Sequence, residues 1–219
     1  SSMRKLIVSM NLTLDGFMAG ADRELDWHFH SWSSRMARVL GEQLGQADTI
    51  LLGRITYTAM AGFWPAQLHN LSLSREDIAF AGMMNSHRKI VFSNTLDKPL
   101  WNNTIIVRGD IPHEVRKLKE MPGANIIIYG SGSLVSSLMR SNLVDEYTLW
   151  VHPVFLGKGK PMYDELNRAI PMDLLGTESF GSGVVKMDFQ PVQSRSGQTD
   201  IKTPDHDRKI SDISTGLYN

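Results

Sequence analysis

Gly130, Ser131, Gly132 and Ser133 are the residues of this sequence whose types and spacing most directly suggest ligand chemistry. They follow three consecutive isoleucines, a run typical of a strand buried on both faces of a parallel sheet. Apolar residues at helical spacing begin at Leu134, so we expect a helix to start at this turn. The free N–H groups and the dipole of a helix start attract anions, and glycine lets a ligand approach the backbone. The stretch therefore predicts a pyrophosphate site, with a purely structural glycine turn as the alternative.

A second strand-to-helix junction carries a positive charge. Gly53 follows the predicted strand 48–52, Arg54 comes next, and Thr56 is in position to cap the helix that follows. Because the helix dipole disfavours a cation at this end, Arg54 has little reason to be there for helix stability. A phosphate ligand would supply the reason. The alternative is that Arg54 pairs with a carboxylate on the surface.

Two further predicted strands end in polar residues. The run 89–92 leads into Ser93 and Asn94, and the run 104–107 leads into Arg108. Because the carboxyl ends of parallel strands lie along one edge of a sheet, these groups and the two glycine junctions can converge on one extended ligand. Two arginines beside hydroxyl groups suit a ribose that carries an extra phosphate. The residues therefore indicate NADPH rather than NADH, which would call for an acid near the ribose.

Fewer side chains suggest contact with a substrate or transfer of a proton. Trp27, Tyr57 and Trp64 could line a pocket for a flat substrate, although core packing is the commoner fate of aromatic residues. Asp15 is the first candidate for the catalytic proton source, with Tyr57, His152 and an ordered water as alternatives. The carboxylate of Asp15 could instead accept backbone N–H bonds in its own turn.

Composition narrows the classes of function. The 219 residues contain 23 Lys and Arg against 23 Asp and Glu, so the formal charge is zero and a nucleic-acid partner is not expected. There is no cysteine, which excludes thiolate catalysis and Cys-ligated metals. His28 and His30 do not share a helical face, so we predict no metal site. The sequence shows neither the roughly twenty-residue apolar run of a membrane span nor a signal-peptide pattern. We expect a cytoplasmic protein that acts on a small molecule without a membrane partner.

The elements that must position these residues alternate as strand and helix along most of the chain. We predict strands at 5–12, 48–52, 89–92, 104–107, 126–128, 147–155 and 183–190, and helices at 31–44, 56–62, 75–84, 112–121 and 134–140. No crossover helix separates the last strands, so these should pair antiparallel. The pattern predicts one α/β domain over residues 3–191, followed by a polar tail over 192–219.

Several stretches together resemble the dihydrofolate reductase-like family, most closely its branch containing the C-terminal reductase domain of bacterial bifunctional riboflavin-biosynthesis proteins. The resemblance covers about residues 3–191 and rests on the stretches 9–17 (SMNLTLDGF), 25–27 (LDW), 51–57 (LLGRITY), 90–93 (IVFS), 129–132 (YGSG) and 153–159 (PVFLGKG). It implies a three-layer α/β/α fold with a mixed, mainly parallel sheet and antiparallel C-terminal strands. It also implies NADPH as the hydride donor and a homodimer.

The resemblance assigns roles to the residues as well. Arg54 and Ser93 would face the 2′-phosphate, residues 130–134 would hold the pyrophosphate, and the loop 15–20 would cover the nicotinamide. True dihydrofolate reductases carry an acid on the first helix that binds the pterin, whereas residues 28–41 contain neither Asp nor Glu. Folate is therefore not the expected substrate.

The expected function is an NADPH-dependent reductase that transfers hydride to a C=N or C=O group of a small polar heterocyclic or ribityl-type substrate. The pyrimidine reductase step of riboflavin biosynthesis is a specific instance. One alternative is an NADPH-binding sensor or scaffold without turnover. A flavin-binding protein is another.

Overall fold

The computed structural model describes residues 3–22, 26–130 and 132–193. Its strands are β1 (Leu6–Thr13), β2 (Phe17–Ala19), β3 (Ala47–Gly53), β4 (Arg88–Phe92), β5 (Thr104–Val107), β6 (Asn125–Ile128), β7 (Glu146–His152), β8 (Lys160–Pro161), β9 (Met172–Ser179) and β10 (Val185–Pro191). Its α-helices are α1 (Ser34–Gly45), α2 (Arg54–Gln67), α3 (Arg75–Ser86), α4 (Ile111–Glu120) and α5 (Gly132–Arg140), and a 3-10 helix covers Asp26–Ser31. The region 194–219, which contains most of the expected tail, lies outside the described residues.

Eight of the strands form one mixed sheet in the order β5-β4-β3-β6-β1-β7-β10-β9. All neighbours from β5 to β7 are parallel, whereas β10 is antiparallel to both β7 and β9. This arrangement confirms the expected dihydrofolate reductase-like fold class and the antiparallel pairing of the last strands. It also aligns the carboxyl ends of six strands along one edge of the sheet.

The isoleucines of β6 sit at the centre of the sheet, between β3 and β1. All three, Ile126, Ile127 and Ile128, are fully buried. Ile127 faces one apolar core, and its two neighbours face the other. The continuous apolar run is thus explained by a strand covered on both faces, which makes the fold three-layered.

Each face of the sheet is covered by its own set of helices. One core contains buried residues of α4 and α5, including Val115, Leu118, Leu134, Val135 and Leu138. The other contains buried residues of α1, α2 and α3, including Met36, Leu40, Tyr57, Phe80 and Met84. Within the described ranges, no helix combines the length and the apolar character needed to cross a membrane.

A buried arginine fixes the opposite, N-terminal edge of the sheet. The Arg4 side chain is 4% exposed and forms an ion pair with Asp48. Its guanidinium also donates to the carbonyl oxygen of Ala124 at 2.8 Å and to Thr49 Oγ1 at 3.0 Å. The charge is satisfied by several acceptors, and these tie β1 to β3 and to the residues before β6.

The structure corrects several predicted boundaries. Helix α2 runs to Gln67 and contains Pro65, whereas the prediction ended it at residue 62. Proline removes one N–H, and so close to the end of a helix it frees a single carbonyl. Strand β7 stops at His152 rather than at residue 155, immediately before Pro153. The short β2–β8 pair was not predicted, because each of its strands has at most three residues.

Candidate functional site

A cleft of about 410 Å³ lies at the carboxyl edge of the sheet, where β3, β4 and β5 end and α2 and α5 begin. Its lining is Gly53, Arg54, Ile55, Phe92, Ser93, Asn94, Thr95, Val107, Gly109, Ile111, Ser133 and Leu134. Six of the predicted cofactor residues are in this set, namely Gly53, Arg54, Ser93, Asn94, Ser133 and Leu134. Residues from three separate junctions therefore meet around one cleft.

The N-terminus of α2 faces this cleft without a side-chain cap. Gly53 is the N-cap residue, with φ −75° and ψ 160°, and forms no side-chain bond to the first turn. Ser33, Ser74 and Asp110, by contrast, cap α1, α3 and α4 with their side chains. The first-turn N–H groups of α2 are consequently available to an anion in the cleft.

Arg54 is the first residue of α2, and its side chain is exposed at the cleft. Within the described chain, no carboxylate forms an ion pair with it. The alternative of a surface ion pair therefore finds no support in this part of the protein.

The predicted capping role of Thr56 is wrong, because the helix begins two residues earlier. Thr56 instead faces the next junction.

That junction is the glycine turn after β6. Gly130 has φ +152°, and a Cβ added to it would come within 3.4 Å of Thr56 Oγ1. A Cβ on Gly132 would lie 3.3 Å from both the Met162 carbonyl oxygen and Met18 Cε. Close packing therefore explains why glycine is needed at both positions. Helix α5, which begins at Gly132, still contributes Ser133 and Leu134 to the lining of the cleft. Ser131 lies outside the described residues.

The third junction is organised by Arg108, but in a different way from the prediction. Arg108 donates to the carbonyl oxygens of Leu96 at 2.7 Å and Ser93 at 3.4 Å, and it does not line the cleft. The Ser93 hydroxyl accepts the N–H groups of Thr95 and Leu96 at 3.2 and 3.0 Å. Arg108 therefore holds the turn that presents Ser93 and Asn94, and its predicted direct contact with a phosphate is not supported.

These groups fit the phosphate-bearing part of a nucleotide. The cleft presents an uncapped helix start, the beginning of a second helix, one exposed guanidinium and several hydroxyl or amide groups. The sequence reasoning missed the other six lining residues, which are Ile55, Phe92, Thr95, Val107, Gly109 and Ile111. Their only signal was their position at, or a few residues after, the end of a predicted strand. In the described ranges, no group of three or more His, Cys, Asp or Glu side chains could hold a metal ion.

The Asp15 carboxylate joins its own turn to the loop at residues 156–157, a contact that we call the Asp15 clamp. The carboxylate accepts the Thr13 hydroxyl at 2.6 Å, the Gly157 N–H at 2.8 Å and the Leu156 N–H at 3.2 Å. The bonds from Thr13 and from the two amides lower the pKa of Asp15, so the carboxylate is ionised at neutral pH. An ionised carboxylate cannot donate a proton. The catalytic prediction for Asp15 is therefore replaced by a structural role that extends beyond its own turn.

The three aromatic residues predicted to bind substrate do not share a pocket. Tyr57 is fully buried, its hydroxyl group lies 2.9 Å from Thr104 Oγ1 and it accepts the Leu100 N–H, so we withdraw it as a pocket residue. Trp64 packs edge-to-face on Phe80, with ring centroids 5.3 Å apart. Trp27 belongs to a separate cluster with two histidines.

Comparison with known proteins assigns this architecture to a family. Residues 4–186 match the model of the RibD C-terminal domain. An uncharacterised protein of Bacillus subtilis (strain 168), YyaP, is 34% identical over 184 residues, which cover 84% of this chain and 93% of YyaP.

Solved structures of two enzymes share the fold. One is the diaminohydroxyphosphoribosylaminopyrimidine deaminase/5-amino-6-(5-phosphoribosylamino)uracil reductase of Thermotoga maritima, with a TM-score of 0.61 and 18% identity over 87% of this chain and 57% of that chain. The other is the dihydrofolate reductase of Enterococcus faecalis in complex with NADP(H) and RAB-propyl, with a TM-score of 0.59 and 11% identity over 88% and 99%. At these identities the likeness concerns the fold.

Proposed function

Because this chain belongs to the RibD C-terminal domain family, we propose that it is an NADPH-dependent reductase of a small polar heterocyclic or ribityl-type substrate. The acceptor group is a C=N or C=O carbon, as in the pyrimidine reductase step of riboflavin biosynthesis. A reductase, at this coarse level, agrees with the family and with the reductases that share the fold. The proposal also includes a homodimer as the working form.

The observation that carries the proposal is the convergence of three predicted junctions on one cleft. Gly53 and Arg54, Ser93 and Asn94, and residues 133–134 are far apart in sequence but line the same cavity. A structural requirement for glycine or serine at each turn does not by itself explain an exposed arginine beside an uncapped helix start. A phosphate group explains both, because the guanidinium and the N–H groups would share its charge.

The roles of the chain's own residues follow from their positions. The first turns of α2 and α5 would bind phosphate through backbone N–H groups, and Arg54 would contact the phosphate that distinguishes NADPH from NADH. Ser93 and Asn94 would contact the ribose. When bound, the nicotinamide would supply the hydride, while the protein holds donor and acceptor in line.

The loop that Asp15 holds packs beside the start of α5. β2 pairs with β8, and Met18 reaches the start of α5, where its Cε lies 3.3 Å from a Cβ position on Gly132. The loop is thus fastened beside the turn that the proposal assigns to the pyrophosphate. Its role would be to exclude water from the nicotinamide.

The decisive experiment is a titration of the protein and of Arg54→Ala with NADPH and NADH. We expect the wild-type protein to bind NADPH at least tenfold more tightly than NADH, because Arg54 adds a charge-assisted contact worth roughly 1.5–3 kcal/mol. Arg54→Ala should remove most of that difference and leave NADH binding almost unchanged. Arg38→Ala is the matched control, since Arg38 is exposed on α1 and does not line the cleft.

Two results would contradict the proposal. If neither nucleotide binds at high micromolar concentration, the cofactor assignment fails. If NADPH binds but is not oxidised by any acceptor in a panel of carbonyl and imine heterocycles, the protein is better described as a nucleotide-binding sensor or scaffold.

A further inference from the structure

A second cavity, of about 580 Å³, lies on the sheet face that α4 and α5 cover. The end of α5, the strands β7, β9 and β10, and the segment 162–170 surround it. No residue lines both this cavity and the cofactor cleft, so the proposed nucleotide site does not account for it. Most of its lining side chains are apolar, among them Met139, Leu149, Met162, Leu166, Met172 and Phe189.

The only charge in this lining is already held by the protein. Among the lining residues that the structure describes, Arg168 alone carries a charge. Its guanidinium donates to the carbonyl oxygens of Arg140 at 3.3 Å and Met139 at 3.4 Å, and to the side chains of Asn142 and Asn167. Because these acceptors hold the guanidinium against the end of α5, the cavity suits an apolar occupant better than an ionic one.

The apolar surface continues from the cavity to the open edge of the sheet, which is formed by β9. Leu174 is paired with Phe189, so its side chain points to the same face of the sheet. The Leu174 side chain is 57% exposed, and Tyr163 and Val192 are exposed as well. A cavity bordered by exposed apolar side chains is typical of a surface that binds another segment.

The described part of the chain leaves the domain at the rim of this cavity. The Val192 N–H donates to the Pro171 carbonyl oxygen at 2.9 Å. Pro171 lies between Ile170 and Met172, and both of these line the cavity. Residues 194–219 lie outside the described part of the chain, and they continue from this point. They are therefore the nearest stretch of chain that could fill the cavity.

The sequence of 194–219 contains one apolar stripe. Ile210, Ile213 and Leu217 recur at i, i+3 and i+7, the spacing with which the apolar side of a helix enters a groove. Between residues 194 and 209, by contrast, Ile201 is the only aliphatic residue of comparable size. These sixteen residues (209 minus 193) span at most about 55 Å when extended, so the stripe can reach a cavity that begins beside Val192.

We propose that residues 210–217 dock into this cavity of their own chain, with Ile210, Ile213 and Leu217 against the apolar lining and the exposed face of Leu174. The covalent connection favours this occupant over a second copy of the chain. A short tether gives an effective concentration in the millimolar range, so even weak apolar contacts keep the cavity filled. The proposal does not depend on the cofactor assignment, because the two cavities share no lining residue.

Paramagnetic NMR can locate the stripe directly, because the chain has no cysteine and a single one can carry a spin label. Ser211→Cys places a nitroxide beside the stripe, and carbon-13 methionine methyl groups report its distance. Met162 and Met172 line the cavity, whereas Met60 and Met84 pack in the core on the other face of the sheet. We expect the first two methyl signals to lose most of their intensity and the last two to keep theirs.

Two variants of the spin-labelled protein test the contact from both sides. Ile213→Asp places a charge in the stripe, and Leu174→Asp places one on the exposed part of the surface. A charge is costly to bury without a partner, so each substitution should restore the intensity of the cavity methionines. Ile201→Asp, in the tail but outside the stripe, and Asp173→Ala, on the other face of β9, are the matched controls and should leave the loss in place.

A mixed sample distinguishes the protein's own segment from that of a second copy. It contains spin-labelled protein without carbon-13 and cysteine-free protein with carbon-13 methionine, and we expect no loss of intensity in it. A loss at Met162 and Met172 in this sample would overturn docking within one chain and assign the cavity to a neighbour's segment. Full intensity of both signals in the singly labelled protein, or a loss that survives Ile213→Asp, would show that the stripe does not occupy the cavity.

Discussion

At the scale of single residues, position decides between roles that residue type leaves open. Asp15 and Arg108 both looked like groups for ligand chemistry, and both instead hold backbone segments. Asp15 accepts from the 156–157 loop, and Arg108 donates to the 93–96 turn. Arg54 and Arg108 are both exposed and carry the same charge, but only Arg54 lines the cleft. The difference lies in which side chains find local partners, and this is a property of the folded chain.

The clamp role of Asp15 can be tested by hydrogen exchange. Asp15→Ala deletes the acceptor for the N–H groups of Leu156 and Gly157, so these amides should exchange at least tenfold faster. Asp15→Asn retains one carbonyl oxygen and should produce a smaller increase. Asp173→Ala, at an exposed position on β9, is the control. Unchanged exchange at both amides in Asp15→Ala would rule out the clamp.

At the scale of elements, buried polar contacts set how the strands sit relative to each other. Arg4 joins β1 to β3 and to the loop before β6, and Gly123 allows its close approach, since a Cβ there would lie 2.7 Å from the guanidinium. The carboxyl ends of β3 and β6 lead into proposed cofactor residues, and the end of β1 leads into the loop that Asp15 holds. Anchoring their other ends therefore contributes to the geometry of the functional edge.

Arg4→Ala should lower the free energy of unfolding by about 3 kcal/mol. The substitution deletes the ion pair with Asp48 and the donor to the carbonyl oxygens of Leu118 and Ala124. Asp48 is half-exposed and keeps the Thr49 hydroxyl and the Ala124 N–H as donors, which limits the loss. Lys5→Ala is the control, because the Lys5–Glu146 pair is largely exposed and should contribute less than about 1 kcal/mol. Urea unfolding of the two variants measures the difference. Equal losses would show that the buried pair has no special role.

At the scale of the whole molecule, stability should depend on pH through two clustered histidines, His28 and His152, whose ring centroids are 5.9 Å apart. Burial lowers their pKa values from about 6.5 in the unfolded chain to about 4 in the folded protein, so the unfolded chain binds more protons between these values. The contribution of the two histidines to the free energy of unfolding is therefore fully present above pH 6.5, and it is lost as the pH falls toward 4. The slope is at most about 1.4 kcal/mol per pH unit for each histidine.

Urea unfolding at pH 7, 6 and 5 measures this slope. His152→Gln should reduce it by about half, because the pKa of each histidine falls from 6.5 to about 4 on folding and each therefore contributes a similar share. His30→Phe, at an exposed position, should leave it unchanged. Parallel stability curves for wild type and His152→Gln would contradict the role of His152, since carboxylates titrate equally in both proteins.

The sequence by itself determined most of the order of elements, apart from β2, β8 and β9, and much of the proposed nucleotide site. Apolar periodicity located β1, β3, β4, β5 and β6 to within one or two residues, because the apolar pattern of a strand reflects which of its faces are buried. The rule that parallel strands end on one edge was enough to bring residues 53–54, 93–94 and 133–134 together. These inferences needed local pattern and one topological rule.

Only the tertiary structure decided how individual polar side chains are used. Asn11 Oδ1 lies 2.8 Å from His152 Nε2, although the two residues are 141 positions apart and no pattern in the sequence pairs them. Tyr57 and Trp27 are both aromatic, yet the Tyr57 hydroxyl is satisfied in the core, whereas the Trp27 indole N–H has no partner among the residues that the structure describes. Hydrogen bonds form between groups that long-range packing brings together. Local sequence therefore indicates which residues could bind a ligand. The tertiary structure decides which of them are used in internal hydrogen bonds instead.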